Sequence, residues 1–108
     1  MAKGEKISKK EATKWVNNYK SKHSKDNNYL SSMLFDKKVV VDMLNEPNCE
    51  GMRVYNAIDD GGKEHFILVG TDAKGNNLLP SNEESLTESY SLLDNGFPCP
   101  PNCPPDDL

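Results

Sequence analysis

The chain has 108 residues, of which 35% are hydrophobic and 28% are charged, and its net charge is −4. This length allows one compact domain with a single modest core, and no apolar run reaches the ~20 residues that a membrane span requires. The basic N-terminus has no apolar stretch behind it and so differs from a secretory signal. The composition therefore predicts a cytoplasmic protein that contacts no membrane and keeps its thiols reduced.

Charge is distributed unevenly along the chain. Residues 1–38 contain ten lysines against four acidic residues, whereas residues 39–108 contain three basic residues against thirteen acidic ones. Such an asymmetry indicates either a basic surface for an acidic partner or two halves that attract each other.

The first predicted element is an amphipathic helix over residues 9–21. Ser8 and Glu11 have the spacing of a capping box, in which the hydroxyl satisfies a free backbone N–H of the first turn. Apolar residues then recur at helical spacing and form one stripe: Ile7, Ala12, Trp15, Val16 and Tyr19. We expect this stripe to be core and the lysines to be solvated.

Two shorter elements are predicted before residue 50. The stretch "YLSSMLF" favours a short strand because both of its ends are aromatic, although a helical turn also fits. A second helix is predicted after Asp36, which stands at the cap position, and Pro47 ends it. Its valines have low helix propensity, so this helix must depend on packing.

The clearest pattern in the chain is a β-hairpin over residues 51–59 and 64–71. "GMRVYNAI" alternates as a half-buried strand does, and "DDGGKE" supplies the residues that a tight turn needs. "HFILVG" is apolar on both faces, which is typical of a strand covered from both sides. The two helices can cover one face, and the C-terminal segment or a second copy of the chain can cover the other.

These elements predict an α+β fold in which two N-terminal helices pack on a small antiparallel sheet built on the central hairpin, followed by an extended Pro-rich tail. We expect residues 1–80 to form the α+β domain. Residues 81–108 are expected to form an acidic, Ser-rich and Pro/Cys-rich C-terminal segment. Within it, residues 81–95 fit either a short acidic helix or disorder.

The tail sequence "GFPCPPNCPPDDL" leaves three interpretations of Cys99 and Cys103. A zinc site normally takes four ligands, so this pair would need Cys49 and a histidine such as His65 to complete it. A Cys99–Cys103 disulfide is geometrically feasible but is uncommon in a reducing compartment. The favoured interpretation is an extended polyproline II tail with two free thiols.

The sequence predicts no catalytic residues and no cofactor. It lacks a phosphate-binding glycine loop, a serine-hydrolase elbow, an H-E-x-x-H motif and the C-x-x-C redox motif. The acidic turns do not have the spacing of a calcium loop. These absences favour a non-enzyme.

Residues 43–79 and 96–105 carry a further pattern. In "MLNEPNCEGMRVYNAIDDGGKEHFILVGTDAKGNNLL" and "GFPCPPNCPP" a helix leads through a Glu-Pro-x-Cys turn into a "G-hydrophobic-R-hydrophobic-Y" strand, and a Cys-Pro-Pro tail closes the chain. This pattern resembles a group of small uncharacterised proteins from Bacteroidetes-type bacteria. The resemblance implies that the helix–hairpin unit and the tail belong together, and it implies no activity.

The predicted function is a binding or assembly role, as a homodimer or with a protein partner, through the sheet. The apolar strand "HFILV" motivates it, because few other apolar residues are available to cover that strand. The predicted interaction residues are Phe66, Leu68, Phe97, Pro100 and Pro101.

Two alternatives remain from the sequence. One is a small metal- or thiol-dependent module that uses Cys49, Cys99 and Cys103. The other is weak nucleic-acid binding through the basic first helix, with lysines for phosphates and Trp15 and Tyr19 for stacking. The acidic overall charge and the expected burial of both aromatic residues disfavour nucleic acid.

Overall fold

The computed structural model describes residues 3–23, 25–26, 29–81 and 90–108. Within these ranges the chain forms two helices and two antiparallel sheets, an α+β arrangement as predicted. In chain order the elements are α1 (Lys9–His23), β1 (Ser32–Leu34), α2 (Lys37–Leu44), β2 (Gly51–Ile58), β3 (Glu64–Thr71), β4 (Leu92–Leu93) and β5 (Phe97–Cys99). Neither of the described helices is long and apolar enough to cross a membrane.

Helix α1 begins as predicted, since the Glu11 backbone N–H donates to Ser8 Oγ at 3.1 Å. None of its described side chains is buried, and Trp15 is 57% exposed. The prediction that its apolar stripe is core is therefore wrong. The helix is held instead near its C-terminal end, where Lys20 Nζ lies 2.6 Å from Asp107 Oδ2 at the end of the tail.

Helix α2 packs on the larger sheet through Met43, whereas its residues Val39 and Val41 are exposed. Asp36 occupies the N-cap position, although its side chain makes no capping hydrogen bond. Met43 is 1% exposed and lies against Gly70 of β3. This contact joins α2 to the centre of the fold.

The larger sheet has the strand order β2-β3-β4. Strands β2 and β3 pair antiparallel, with Val54 opposite Leu68, and the turn between them closes with a 2.9 Å hydrogen bond from Asp59 N–H to the Lys63 carbonyl. Gly62 in this turn has a φ of +88°, a conformation that suits glycine. The second half of β3 is buried, but β2 is exposed along most of its length and so differs from the half-buried strand that its alternation predicts.

The smaller sheet pairs β1 with β5 antiparallel, so that Ser32 lies opposite Cys99 and Met33 opposite Pro98. Ser31 N–H also donates to the Cys99 carbonyl at 2.8 Å. The first residues of the tail are therefore paired as a strand, and the chain then turns, because Asn102 N–H donates to the Pro98 carbonyl at 2.9 Å. Pro98 is tolerated there because a two-stranded sheet consists of edge strands, which do not need every N–H.

Most of the segment for which helix and disorder were both expected lies outside the described residues, which omit 82–89. Of the described part, Leu92–Leu93 forms β4, and it pairs with Leu68 and Val69 of β3. The third strand of the sheet thus comes from the C-terminal segment.

The core is small for a chain of this length. The buried apolar side chains among the described residues are Leu30, Met43, Leu68, Val69 and Cys99. The Cα radius of gyration is 15.6 Å, against about 13 Å for a compact domain of this size. Many large apolar side chains consequently remain on the surface.

Candidate functional site

The four predicted metal ligands do not come together. Cys99 and Cys103 form a disulfide with their Cα atoms 4.7 Å apart, so the interpretation of two free thiols in the tail is wrong. Among the described residues, the one group of Cys, His, Asp and Glu side chains close enough to share an ion is Cys99, Cys103 and Asp107. Cys49 and His65 lie outside it. Metals bind thiolates, and two sulfurs bonded to each other offer none.

The disulfide lies where the tail meets β1 and α1, and we call Cys99, Cys103, Asp107 and Lys20 the disulfide corner. Cys99 ends β5 and is 2% exposed, whereas Cys103 is exposed in the tail. The Cys99 carbonyl accepts hydrogen bonds from Ser31 N–H at 2.8 Å and from Ser31 Oγ at 2.9 Å. The two cysteines of one disulfide therefore differ sharply in their access to solvent.

An ion pair flanks the buried sulfur of the disulfide corner. Asp107 Oδ2 lies 3.7 Å from Cys99 Sγ. Lys20 Nζ lies 2.6 Å from the same oxygen, and each of the two charged side chains is 26% exposed. The hydrogen bond from Lys20 lowers the pKa of Asp107, so the carboxylate is ionised at neutral pH.

Cys49 is placed elsewhere, in the loop between α2 and β2. Its Sγ donates to the Gly51 carbonyl at 3.3 Å. A Cβ added at Gly70 would meet this sulfur at 3.0 Å, which shows how closely Cys49 packs on the β3 backbone. These contacts make Cys49 a packing residue at a helix–strand junction.

His65, at the start of β3, joins two acidic loops. Its Nε2 lies 2.8 Å from Asp59 Oδ2 in the hairpin turn, and its Nδ1 lies 3.0 Å from Asp94 Oδ1 after β4. The hydrogen bonds to Asp59 and Asp94 raise the pKa of His65, and the bond from His65 in turn lowers the pKa of Asp59. A protonated imidazole that donates from both nitrogens has no lone pair for a metal.

A cleft of about 440 Å³ lies between the two sheets. His65 and Glu64 line one side, and Pro100 and Pro101 line the other. Glu64 Oε1 already accepts a 2.8 Å hydrogen bond from Leu30 N–H. Both ionisable side chains are thus paired within the chain: Glu64 links β3 to the segment before β1, and His65 links the hairpin turn to Asp94 after β4.

The predicted interaction residues do not share one exposed surface. Leu68 is buried and Phe66 is half-buried, so these two side chains of β3 present little surface to a partner. Phe97, Pro100 and Pro101 are exposed on the tail.

The largest apolar surface on the sheet belongs to β2, the edge strand. Its exposed large apolar side chains, which with the outer backbone of the strand we call the β2 edge, are Met52, Val54, Tyr55 and Ile58. Within the ranges that the structure describes, no strand pairs with the outer side of β2. Two polar side chains of β2 are held by the turn after β3. Arg53 Nη1 donates to the Gly75 carbonyl at 3.0 Å, and Tyr55 Oη accepts a hydrogen bond from Asn77 Nδ2 at 2.7 Å.

The sequence did not predict the ion pairs of these two regions. They are the pair of Lys20 with Asp107 and the pairs of His65 with two aspartates. Lys20 and Asp107 are 87 positions apart, so no local pattern connects them. The opposite charges of the two halves of the chain were the available signal, since they favour attraction between the basic first helix and the acidic tail. That signal indicates an attraction without identifying its residues.

The chain matches no protein-family model, no curated protein and no solved structure. The resemblance to the Bacteroidetes-type proteins therefore stays a prediction.

Proposed function

We propose that this chain is a small cytoplasmic, non-catalytic assembly protein that forms a homodimer through the β2 edge. The observation that carries the proposal is the eight-residue strand β2, whose outer side is unpaired among the described residues and whose side chains Val54 and Tyr55 are exposed on opposite faces.

An unpaired edge strand offers a row of backbone N–H and C=O groups to another strand. Proteins that avoid such pairing protect the edge with charges, prolines or bulges. The β2 edge has no proline, and its one charge is Arg53, which is already bound to the carbonyl of Gly75. The strand is therefore suited to accept a partner strand.

A second copy of the chain fits this edge by symmetry. A two-fold axis perpendicular to the sheet pairs β2 with itself antiparallel and keeps each face continuous. In the register centred on Val54, that residue lies opposite its own copy, and Arg53 lies opposite Tyr55 of the other copy. No like charges are opposed, and the guanidinium meets an aromatic ring. Since Leu68 of β3 pairs with Val54, the apolar row continues across the dimer.

Sedimentation at micromolar concentration tests the proposal, and Val54→Lys is the decisive variant. A lysine at the centre of the seam places two ammonium groups opposite each other, and we expect dimer affinity to fall at least about tenfold, equivalent to about 1.4 kcal/mol. Leu79→Lys is the matched control, because Leu79 is 53% exposed and Val54 is 52% exposed. The control should remain dimeric.

Two results would contradict the dimer. A wild-type chain that sediments as a monomer throughout the micromolar range removes the proposal altogether. Equal weakening by Val54→Lys and Leu79→Lys shows that association does not use the β2 edge.

The exposure of Trp15 favours a second candidate, weak nucleic-acid binding through α1. Trp15 is 57% exposed and lies between Lys14 and Lys20 along a lysine-rich helix, so a base could stack on the ring while ammonium groups contact phosphates. The test is retention on single-stranded DNA at low salt, which Trp15→Ala should abolish. Absence of any retention removes this candidate.

A further inference from the structure

We propose that the Cys99–Cys103 disulfide is a redox-active bond that a dithiol reduces by attack on Cys103, with Asp107 and Lys20 controlling the departing sulfur of Cys99. The co-reactant is a dithiol, either a small molecule or a cysteine pair of another protein. The proposal does not depend on the homodimer.

The different exposures of the two cysteines indicate which sulfur is attacked. An attacking thiolate must reach a sulfur from outside the disulfide, and Cys99 is 2% exposed at the end of β5. Cys103 is exposed in the tail, four positions further along. Cys103 is therefore the electrophile and Cys99 is the leaving group.

The thiol–disulfide exchange proceeds in two steps. In the first, one thiolate of the dithiol bonds to Cys103 Sγ, the Cys99–Cys103 bond breaks, and its electron pair leaves with Cys99 Sγ, which takes up a proton. In the second, the other thiolate of the dithiol attacks the dithiol sulfur bonded to Cys103, which forms the dithiol's own disulfide and releases Cys103 as a thiolate that is then protonated. Two electrons and two protons pass from the dithiol to the chain.

Asp107 acts on the sulfur that leaves. Its Oδ2 lies 3.7 Å from Cys99 Sγ, so it accepts a hydrogen bond from the Cys99 thiol of the reduced chain. During the first step the same carboxylate faces a developing thiolate, and this repulsion slows reduction. A lower pKa of the leaving thiol speeds exchange, so the charge near Cys99 sets the rate.

Lys20 opposes the effect of that carboxylate. Its ammonium group lies 2.6 Å from Asp107 Oδ2 and also donates to the backbone oxygen of Leu108 at 2.6 Å. It therefore compensates the negative charge beside Cys99 and favours the thiolate. Asp107 and Lys20 are positioning residues with opposite influence on one sulfur.

The proposed cytoplasmic location adds one further argument, which rests on the proposed function. In a reducing compartment the disulfides that do occur are usually transient, catalytic or redox-sensing.

The test measures the rate of reduction by dithiothreitol, with alkylation and intact-mass detection at successive times. The oxidised chain has one free thiol, Cys49, and the reduced chain has three. We expect Asp107→Asn to speed reduction and Lys20→Met to slow it, each on the order of threefold. A parallel series with a reduced dithiol protein of the thioredoxin type identifies the source of the dithiol from the faster of the two reductants.

The opposite signs separate this role from a structural one. If both substitutions merely loosened the tail, Cys99 would become more accessible and both variants would be reduced faster, which would overturn the proposed roles of Asp107 and Lys20. A second measurement tests the attacked sulfur: with a small aromatic disulfide, Cys103 in Cys99→Ser should react faster than Cys99 in Cys103→Ser. Equal rates would overturn the assignment of Cys103.

Discussion

The three-stranded sheet and the disulfide corner are stabilised by different kinds of interaction. The sheet depends on burial of Met43, Leu68 and Val69 between β3 and its neighbours. The corner depends on a disulfide and on the ion pair between Lys20 and Asp107. Burial of apolar surface is insensitive to redox state and weakly sensitive to salt, whereas the interactions of the corner respond to both. One region is thus suited to hold the fold, and the other to change with its surroundings.

The largest effect is expected from Met43, the one buried helical side chain in the part of the chain that the structure describes. Met43→Ala removes a side chain that is 1% exposed, and we expect the free energy of unfolding to fall by about 2–5 kcal/mol. Urea unfolding followed by circular dichroism measures it.

The matched control is Val41→Ala on the same helix. Val41 is an exposed residue of α2, so this variant should change the free energy of unfolding by less than about 0.5 kcal/mol. Equal losses in both variants would show that α2 is not anchored to the sheet through Met43.

Local sequence patterns predicted the sheet much better than the corner. The Ser8 cap of α1, the helix that stops before Pro47 and the strands β2 and β3 each follow from periodicity or turn chemistry within about 10–15 residues. The pattern also indicated that β3 would be covered on both faces, and its second half is buried. Periodicity says which side chains share a face, but it does not say what covers that face, so the stripe containing Trp15 was expected in the core.

The corner could not be predicted because its partners are far apart in sequence. Pairing of β1 with β5 joins Ser32 to Cys99, and Lys20 and Asp107 are 87 positions apart. Because the tail sequence is rich in proline, it favours an extended polyproline II conformation. The strand register that places Cys99 and the carboxylate of Asp107 together is set by tertiary contacts, which a single sequence does not reveal.

A smaller effect is expected when the corner loses its disulfide. Because the bond closes a loop with a sequence separation of four, reduction should lower the free energy of unfolding by about 2 kcal/mol. Unfolding in urea with and without dithiothreitol measures the difference. The double variant Cys99→Ala, Cys103→Ala should not respond to the reductant, and a wild-type chain that is equally indifferent would show that the disulfide does not stabilise the native state.

The smallest effect on stability is expected from His65, which links the hairpin turn at Asp59 to Asp94 after β4. Its pKa is raised above 6.5 in the folded chain by the hydrogen bonds to Asp59 and Asp94, so its contribution to stability is fully present below pH 6.5 and is lost as the pH rises through the raised value. The pKa of Asp59 is lowered below 3.8, chiefly by His65, so the contribution of Asp59 is present above pH 3.8 and is lost as the pH falls through the lowered value. Both contributions are therefore present together between pH 3.8 and pH 6.5.

The free energy of unfolding measured inside and above this pH range tests the contribution of His65. We expect the free energy of unfolding to be greater at about pH 5.5 than at about pH 8.5, and the difference to be small because Asp59 and Asp94 are exposed and screened by solvent. His65→Gln should reduce this difference, since a neutral amide gains no charge on acidification, while His23→Gln should retain the part that depends on His65. A difference that survives His65→Gln undiminished would place the pH dependence elsewhere. The ion pairs of His65 with Asp59 and Asp94 would then contribute nothing to the pH dependence of stability.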